Sequence, residues 1–292
     1  MLVQHRREGA IGRKINRFNA RALRPLGVRR MPERTLPDYD NPPAQETWMA
    51  FAFAPLPWSV PHFGAFWGEI KGDYPTFEVH PPIGEFNFEF NAVAPEAIVN
   101  LPVRCWFKND QSNRLIQVQN NRFFHNWRRP NPAAPYLHYD ELKPVFEREW
   151  GRFCKFVNRY GLGAPNVLSC EVAYINHLDR GVGWDNFSDL FRIFPSVGSF
   201  EGKKFLAKPE TISANASYVM SSNEGRLQVA IQPAIRRLDG KEIIQLSITG
   251  SCRPASSDTS ELMRCLDSCR GWVVRGFDDL TSADMHKIWR KK

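Results

Sequence analysis

The stretch Arg114-Leu115-Ile116-Gln117-Val118 returns 112 positions further on as Arg226-Leu227-Gln228-Val229-Ala230. Around both stretches the apolar positions follow one order: strand, helix, antiparallel strands, long helix. A chain built this way has to bury a sheet face under helices twice over. In the first round, residues 46–53 read as a strand ending at Pro55. A helix follows, capped by Ser59, with Pro61 in its first turn, Phe63, Phe66, Trp67 and Ile70 on one face, and Gly72 closing it. Residues Glu85 to Asn91 alternate with period two and predict a strand. Strands at 102–108 (Val103, Cys105 and Phe107 inward) and 114–120 (Ile116 and Val118 inward) join through the turn Asn109-Asp110-Gln111-Ser112. A long helix then spans about 141–160, capped by Asp140 and ended by Gly161. Its Phe146, Trp150, Phe153, Val157 and Tyr160 recur at helical spacing, as a core-facing stripe does.

The second round begins with a strand at 168–177. Asp185 is expected to cap a short helix presenting Phe187, Leu190, Phe191 and Phe194. Strands follow near 211–219, 226–232 and 242–250, the last two linked by the Asp239-Gly240 turn. A helix at 260–277 puts Leu262, Leu266, Cys269, Val273 and Phe277 on one side. Thr281-Ser282-Ala283-Asp284 opens a short closing helix as a capping box. The fold expected is α+β: an internally duplicated strand-helix-antiparallel strands-helix unit, forming one curved sheet with its long helices on one face. That arrangement resembles saddle and helix-grip folds in topology alone, and a likeness of that kind carries no function.

The net charge of +8 sits in one place. Of 39 basic residues, ten lie in residues 1–37 against two acids, which leaves 29 basic and 29 acidic residues in the rest. The body therefore has no net field to hold a phosphate backbone. Residues 1–37 read as a basic extension, either disordered or placed before the true start at Met31. A third reading makes Ile11, Ile15, Phe18 and Ala22 the apolar side of a basic amphipathic helix. Residues 38–163 and 164–292 then form the two α+β halves. No run approaches the ~18 apolar residues of a membrane span, and no secretory h-region opens the chain, so a cytoplasmic location is expected. With it go six free, mostly buried thiols.

Catalytic signatures are missing. Gly198 to Lys204 has its glycines too close for a phosphate-binding loop, and no HExxH, GxSxG, CxxC or strand-following GxGxxG occurs. Cys265 and Cys269, with Cys252 upstream and His286 downstream, lack the paired knuckles of a zinc site. No metal and no cofactor is expected. Two polar clusters set among aromatic residues are the candidate binding residues. In the first, Asn126, Trp127 and Arg128 precede a proline-rich loop, where they would clamp an acid or stack on a base, or else leave Trp127 packed under the long helix. In the second, Tyr174, Asn176 and His177 end a strand. An inward Asn176 must find hydrogen bonds from backbone or from a ligand, and His177 lies near Asp179 as an acid–base pair would, or as a local turn contact.

The same residues carry a family resemblance. Asn41-Pro42-Pro43, Trp106-Phe107, Leu115 to Gln119, Asn126-Trp127-Arg128, Tyr139, Tyr174-Ile175-Asn176, Gly225-Arg226-Leu227 and Phe277…Leu280-Thr281…His286…Trp289 come in that order. Over residues 40–290 the chain resembles a sporadically distributed bacterial family of unknown function, known by a model number alone. One departure is Lys291, where a glycine would follow the Trp289 region. Members begin near the Asn-Pro-Pro segment, which would make Met31 the start. The resemblance implies no catalytic residues and no ligand.

Together these observations lead to a non-catalytic binding or accessory protein that presents a sheet surface or groove to a partner, such as a protein encoded nearby. One alternative is an enzyme whose Arg128, Asn176 and His177 converge in one pocket. The other is a nucleic-acid-binding protein with an exposed aromatic and basic sheet.

Overall fold

In the first round, the strand runs two residues further back than its aromatic pattern suggests: β1 is Ala44–Phe53. Helix α1 (Val60–Ile70) starts at Ser59 as expected, and His62 completes the cap by accepting the Ser59 backbone N–H. The remaining strands of this half are β2 (Thr76–His80), β3 (Arg104–Lys108), β4 (Arg114–Gln119) and β5 (Arg122–Arg128), before α2 (Tyr139–Arg159). The second half contains β6 (Val167–Asp179), a 3-10 turn at Phe187–Asp189 running into the short α3 (Leu190–Ile193), β7 (Ala214–Val219), β8 (Gly225–Ile235), β9 (Glu242–Cys252), α4 (Thr259–Leu280) and α5 (Ala283–Ile288). This computed structural model describes residues 35–84, 103–131, 134–198, 205–220 and 224–292. The basic segment 1–34 and the alternating stretch 85–91 lie outside the described residues.

All nine strands form one sheet in the order β2-β3-β4-β5-β1-β6-β9-β8-β7, antiparallel throughout. The order reads outward from the β1–β6 pair in the same sense on both sides. The fold is α+β with one large antiparallel sheet, and residues 33–292 make one compact unit. Both long helices cover the same face. Phe51 and Cys170 are register partners across β1 and β6, so their side chains share a face. Phe51 packs on Phe146 and Trp150 of α2, while Cys170 accepts a hydrogen bond from Cys269 of α4 at 3.5 Å.

Phe146, Trp150, Phe153 and Val157 of the stripe read from the sequence form the core, while Tyr160, expected to face it as well, lies past the end of α2 and is exposed. Phe153 is fully buried among Phe53, Trp58, Phe66, Phe123 and Trp150. Each such ring contributes roughly 1.5–3 kcal/mol by leaving water. Several local expectations change. Residues 122–128, in which Asn126, Trp127 and Arg128 read only as preceding a loop, form a full strand, and β2 is an additional strand. Val103 precedes β3 and is exposed. The α2 cap is His138, not Asp140, with Glu141 closing the box onto its backbone. Asn186 caps the 3-10 turn in place of Asp185, because the Asp189 carboxylate accepts both the Asp185 and Asn186 N–H groups. Ser282, one residue later than expected, caps α5.

The six-free-thiol expectation also changes. Cys252 ends β9 directly under the second turn of α4, bringing its Cα 6.4 Å from that of Cys265, and the two are joined as a disulfide. Cys105, Cys154, Cys170 and Cys269 are free, and burial pushes their thiols up, Cys105 to about 11 and Cys154 to about 12. No helix among the described residues is long and apolar enough to cross a membrane.

Candidate functional site

Strand alternation divides the expected cluster at 126–128 between the two sheet faces. Trp127 points into the helix side and packs edge-on against Tyr136, 5.7 Å between centroids. Asn126 and Arg128 point to the opposite face, where a polar network absorbs them. Arg104 donates to Gln117 (2.8 Å), Gln117 to Asn126 (2.7 Å), Asn126 to Glu46 (2.5 Å), and Arg128 to the other Glu46 oxygen (2.9 Å). Trp106 carries Arg128 over its ring at 4.9 Å and stacks on His80 at 3.8 Å. On this face Arg128, Lys108 and Arg122 are each matched by a carboxylate, from Glu46, Glu78 and Glu171 in turn.

Tyr174 and Asn176 take part in a different construction. A bulge between Ala44 and Glu46 interrupts the alternation of β1, so Ala44, paired with Asn176, faces the helices. There β1, β6 and β9 meet the start of α2, the middle of α4 and the entry segment at 37–42. These elements line a half-open pocket with about 70 Å³ of water-accessible space. Its wall holds Tyr39, Tyr136, Tyr139 and Tyr174, with Arg270 and Asn176 between them. Tyr139 is the first residue of α2, and its hydroxyl donates to Asp267 of α4 at 3.0 Å, which Lys143 also holds. Tyr39 donates to Asp278 at 2.6 Å. The Tyr136 and Tyr174 hydroxyls lie near each other. Burial pushes the Tyr136, Tyr139 and Tyr174 phenols upward, so all three remain protonated donors at neutral pH. Asn176 gives its amide to the Leu246 carbonyl at 3.1 Å, so its backbone role is occupied.

Arg270 stands over the Tyr139 ring at 5.0 Å, within hydrogen-bonding reach of the Tyr174 hydroxyl. Its Nε is buried without a hydrogen-bond partner. His177 lines a neighbouring cavity with Asp179 and Arg236. There the nearly buried Arg236 is consumed by Asp179 at 2.6 Å and Asp239 at 2.7 Å. His177 is held neutral chiefly by burial, its Nδ1 unpartnered. Arg128 lines neither cavity among the described residues. The structure thus brings Tyr174 and Asn176 together and separates them from His177 and from the residues at 126–128. Sequence reasoning missed Tyr39, Tyr136 and Arg270 as cavity residues. The available signal was an arginine immediately beside the apolar stripe of α4, next to Cys269 and three residues before Val273.

No protein-family model matches the chain, and no curated protein matches it.

Proposed function

We propose that this is a non-catalytic binding protein that holds a small molecule in the tyrosine-lined cavity where its two halves join. The observation that carries the reading is a half-open pocket at the meeting point of three central strands and two long helices. Its lining mixes an apolar wall with polar groups aimed inward, the usual composition of a ligand site. Pro42, Tyr139, Tyr174, Asn176 and Phe277, which carry the resemblance to the bacterial family of unknown function, all line this cavity. Membership of that family is part of the same proposal.

The proposal includes an origin by duplication, in a saddle or helix-grip arrangement. Its support is the strand order, with β5, β4 and β3 beyond β1 matched by β9, β8 and β7 beyond β6. The repeated stretch falls on β4 and β8, each third from the seam. The rival readings lack comparable support. Arg128, Asn176 and His177 do not converge, and on the opposite face Arg128, Lys108 and Arg122 are already paired with carboxylates.

Native mass spectrometry of the full chain, purified gently at low salt, tests the pocket. The expected result is a reproducible extra mass on the wild type that disappears in Val274→Trp, a half-buried position at the cavity wall, with unchanged circular dichroism. A wild-type chain that runs bare, or an extra mass that Val274→Trp keeps, overturns the reading.

A further inference from the structure

We infer that the ligand of this cavity is a small organic monocarboxylic acid, its carboxylate held by Arg270 with the Tyr136 or Tyr174 phenol beside it; the inference rests on the pocket reading above. Among the described residues, no ion pair joins Arg270 to an acid. Asp140 is exposed on the first turn of α2, where its charge reaches Tyr174, and the other carboxylates near the wall have partners of their own. Asp267, three residues earlier on α4, is taken by Tyr139 and Lys143. Asp38, at the mouth, is paired with Lys292, and Asp278 with Tyr39 and Lys291. What remains to the guanidinium is a phenol, the face of an aromatic ring, and a buried N–H with no acceptor. A buried donor of this kind costs free energy until an acceptor arrives, and a charged one costs more.

The guanidinium fork matches a carboxylate's two oxygens, and charge-assisted bonds of that geometry are the strong ones. Tyr39 and Tyr139 already give their hydroxyl protons to Asp278 and Asp267, so the protonated Tyr136 and Tyr174 phenols supply the neutral donor beside the guanidinium. One cation among neutral donors balances one negative charge, so a phosphate dianion would retain an unmatched charge in a poorly solvated site. Beside the polar Asp38, His138 and Asn176, the wall carries Ala44, Ile248, Val273, Val274 and Phe277, an apolar side that suits an acid with a short apolar or aromatic body.

Isothermal titration calorimetry on the full chain tests this with benzoate, its neutral counterpart benzamide, and phenyl phosphate. Benzoate should bind at least tenfold more tightly than either of the others. Arg270→Gln should weaken benzoate at least tenfold and leave benzamide unchanged, while Arg270→Lys, which keeps the charge, recovers part of the loss. Equal binding of benzoate and benzamide, tighter binding of phenyl phosphate, or an Arg270→Gln chain that holds benzoate as before overturns the inference. Silence from all three probes overturns it too. In each of those cases an extra mass lost in Val274→Trp leaves the pocket reading standing.

Discussion

Arg122 of β5 and Glu171 of β6 meet although β1 runs between their strands. The register explains how. Ala52 pairs with Arg122 and Ala50 with Glu171, so two methyl groups leave room for the long side chain to cross. Both charged side chains are nearly sealed from water, and the contact is 3.4 Å. Burial pushes the Glu171 carboxyl up, against the pull of Arg122. A buried pair of this kind gains little over apolar residues of the same shape, but losing one member strands the other. Arg122→Met or Glu171→Met alone should therefore cost about 3–5 kcal/mol, while the two together should return close to the wild type. Urea titration of the four proteins measures the coupling, and additive losses would mean the two residues do not act as a unit. Neither residue stands out in the sequence, because their closeness depends on which strand lies between them. Arg270 was hidden for the same reason: one arginine beside an apolar stripe reads as a solvated edge until the cavity in front of it is known.

Helix α4 comes closer to the sheet than side chains would ordinarily allow. Gly250 of β9 is the cause: a Cβ there would lie 2.8 Å from the Cys269 carbonyl oxygen and 3.2 Å from Val273. Backbone and a β-branched side chain give way poorly, so Gly250→Ala should push α4 outward and cost about 1–3 kcal/mol, read as a lower urea midpoint. A midpoint equal to the wild type would show that the helix shifts freely. Elements with a clean period were legible in sequence: α1 with its Ser59 cap, β4 with Ile116 and Val118 inward, and α4 with its stripe. β5 was not, because it is buried on both faces. Phe123, His125 and Trp127 go one way and Arg122, Phe124 and Asn126 the other, all with little exposure, so no alternation of apolar with polar marks it as a strand. The missed cap at His138 has a different cause: the Glu141 side chain closes the helix start onto the His138 backbone, where Asp140 has the more usual capping side chain.

The β1–β6 pair runs from Ala44 opposite Asn176 to Phe53 opposite Val167 and makes the two halves one sheet. Neither half has a closed edge at that seam, so the folded body should lose structure as one cooperative unit. Six of the nine tryptophans (Trp48, Trp58, Trp67, Trp106, Trp127 and Trp150) lie in the first half. Tryptophan fluorescence, weighted to that half, should therefore report the same urea midpoint as far-ultraviolet circular dichroism. Gly250→Ala, a change in the second half, should move both probes together. Two separated transitions would show that the halves fold independently. By itself the sequence determined the order of the elements and the inward faces of the periodic ones, since hydrogen-bond spacing and side-chain direction repeat within a few residues of chain. Only the tertiary structure decided that β1 pairs with β6, and that Tyr39, Tyr139, Tyr174 and Arg270 line one space. Those contacts join residues far apart in the chain, and no local period records which of many compatible faces will meet.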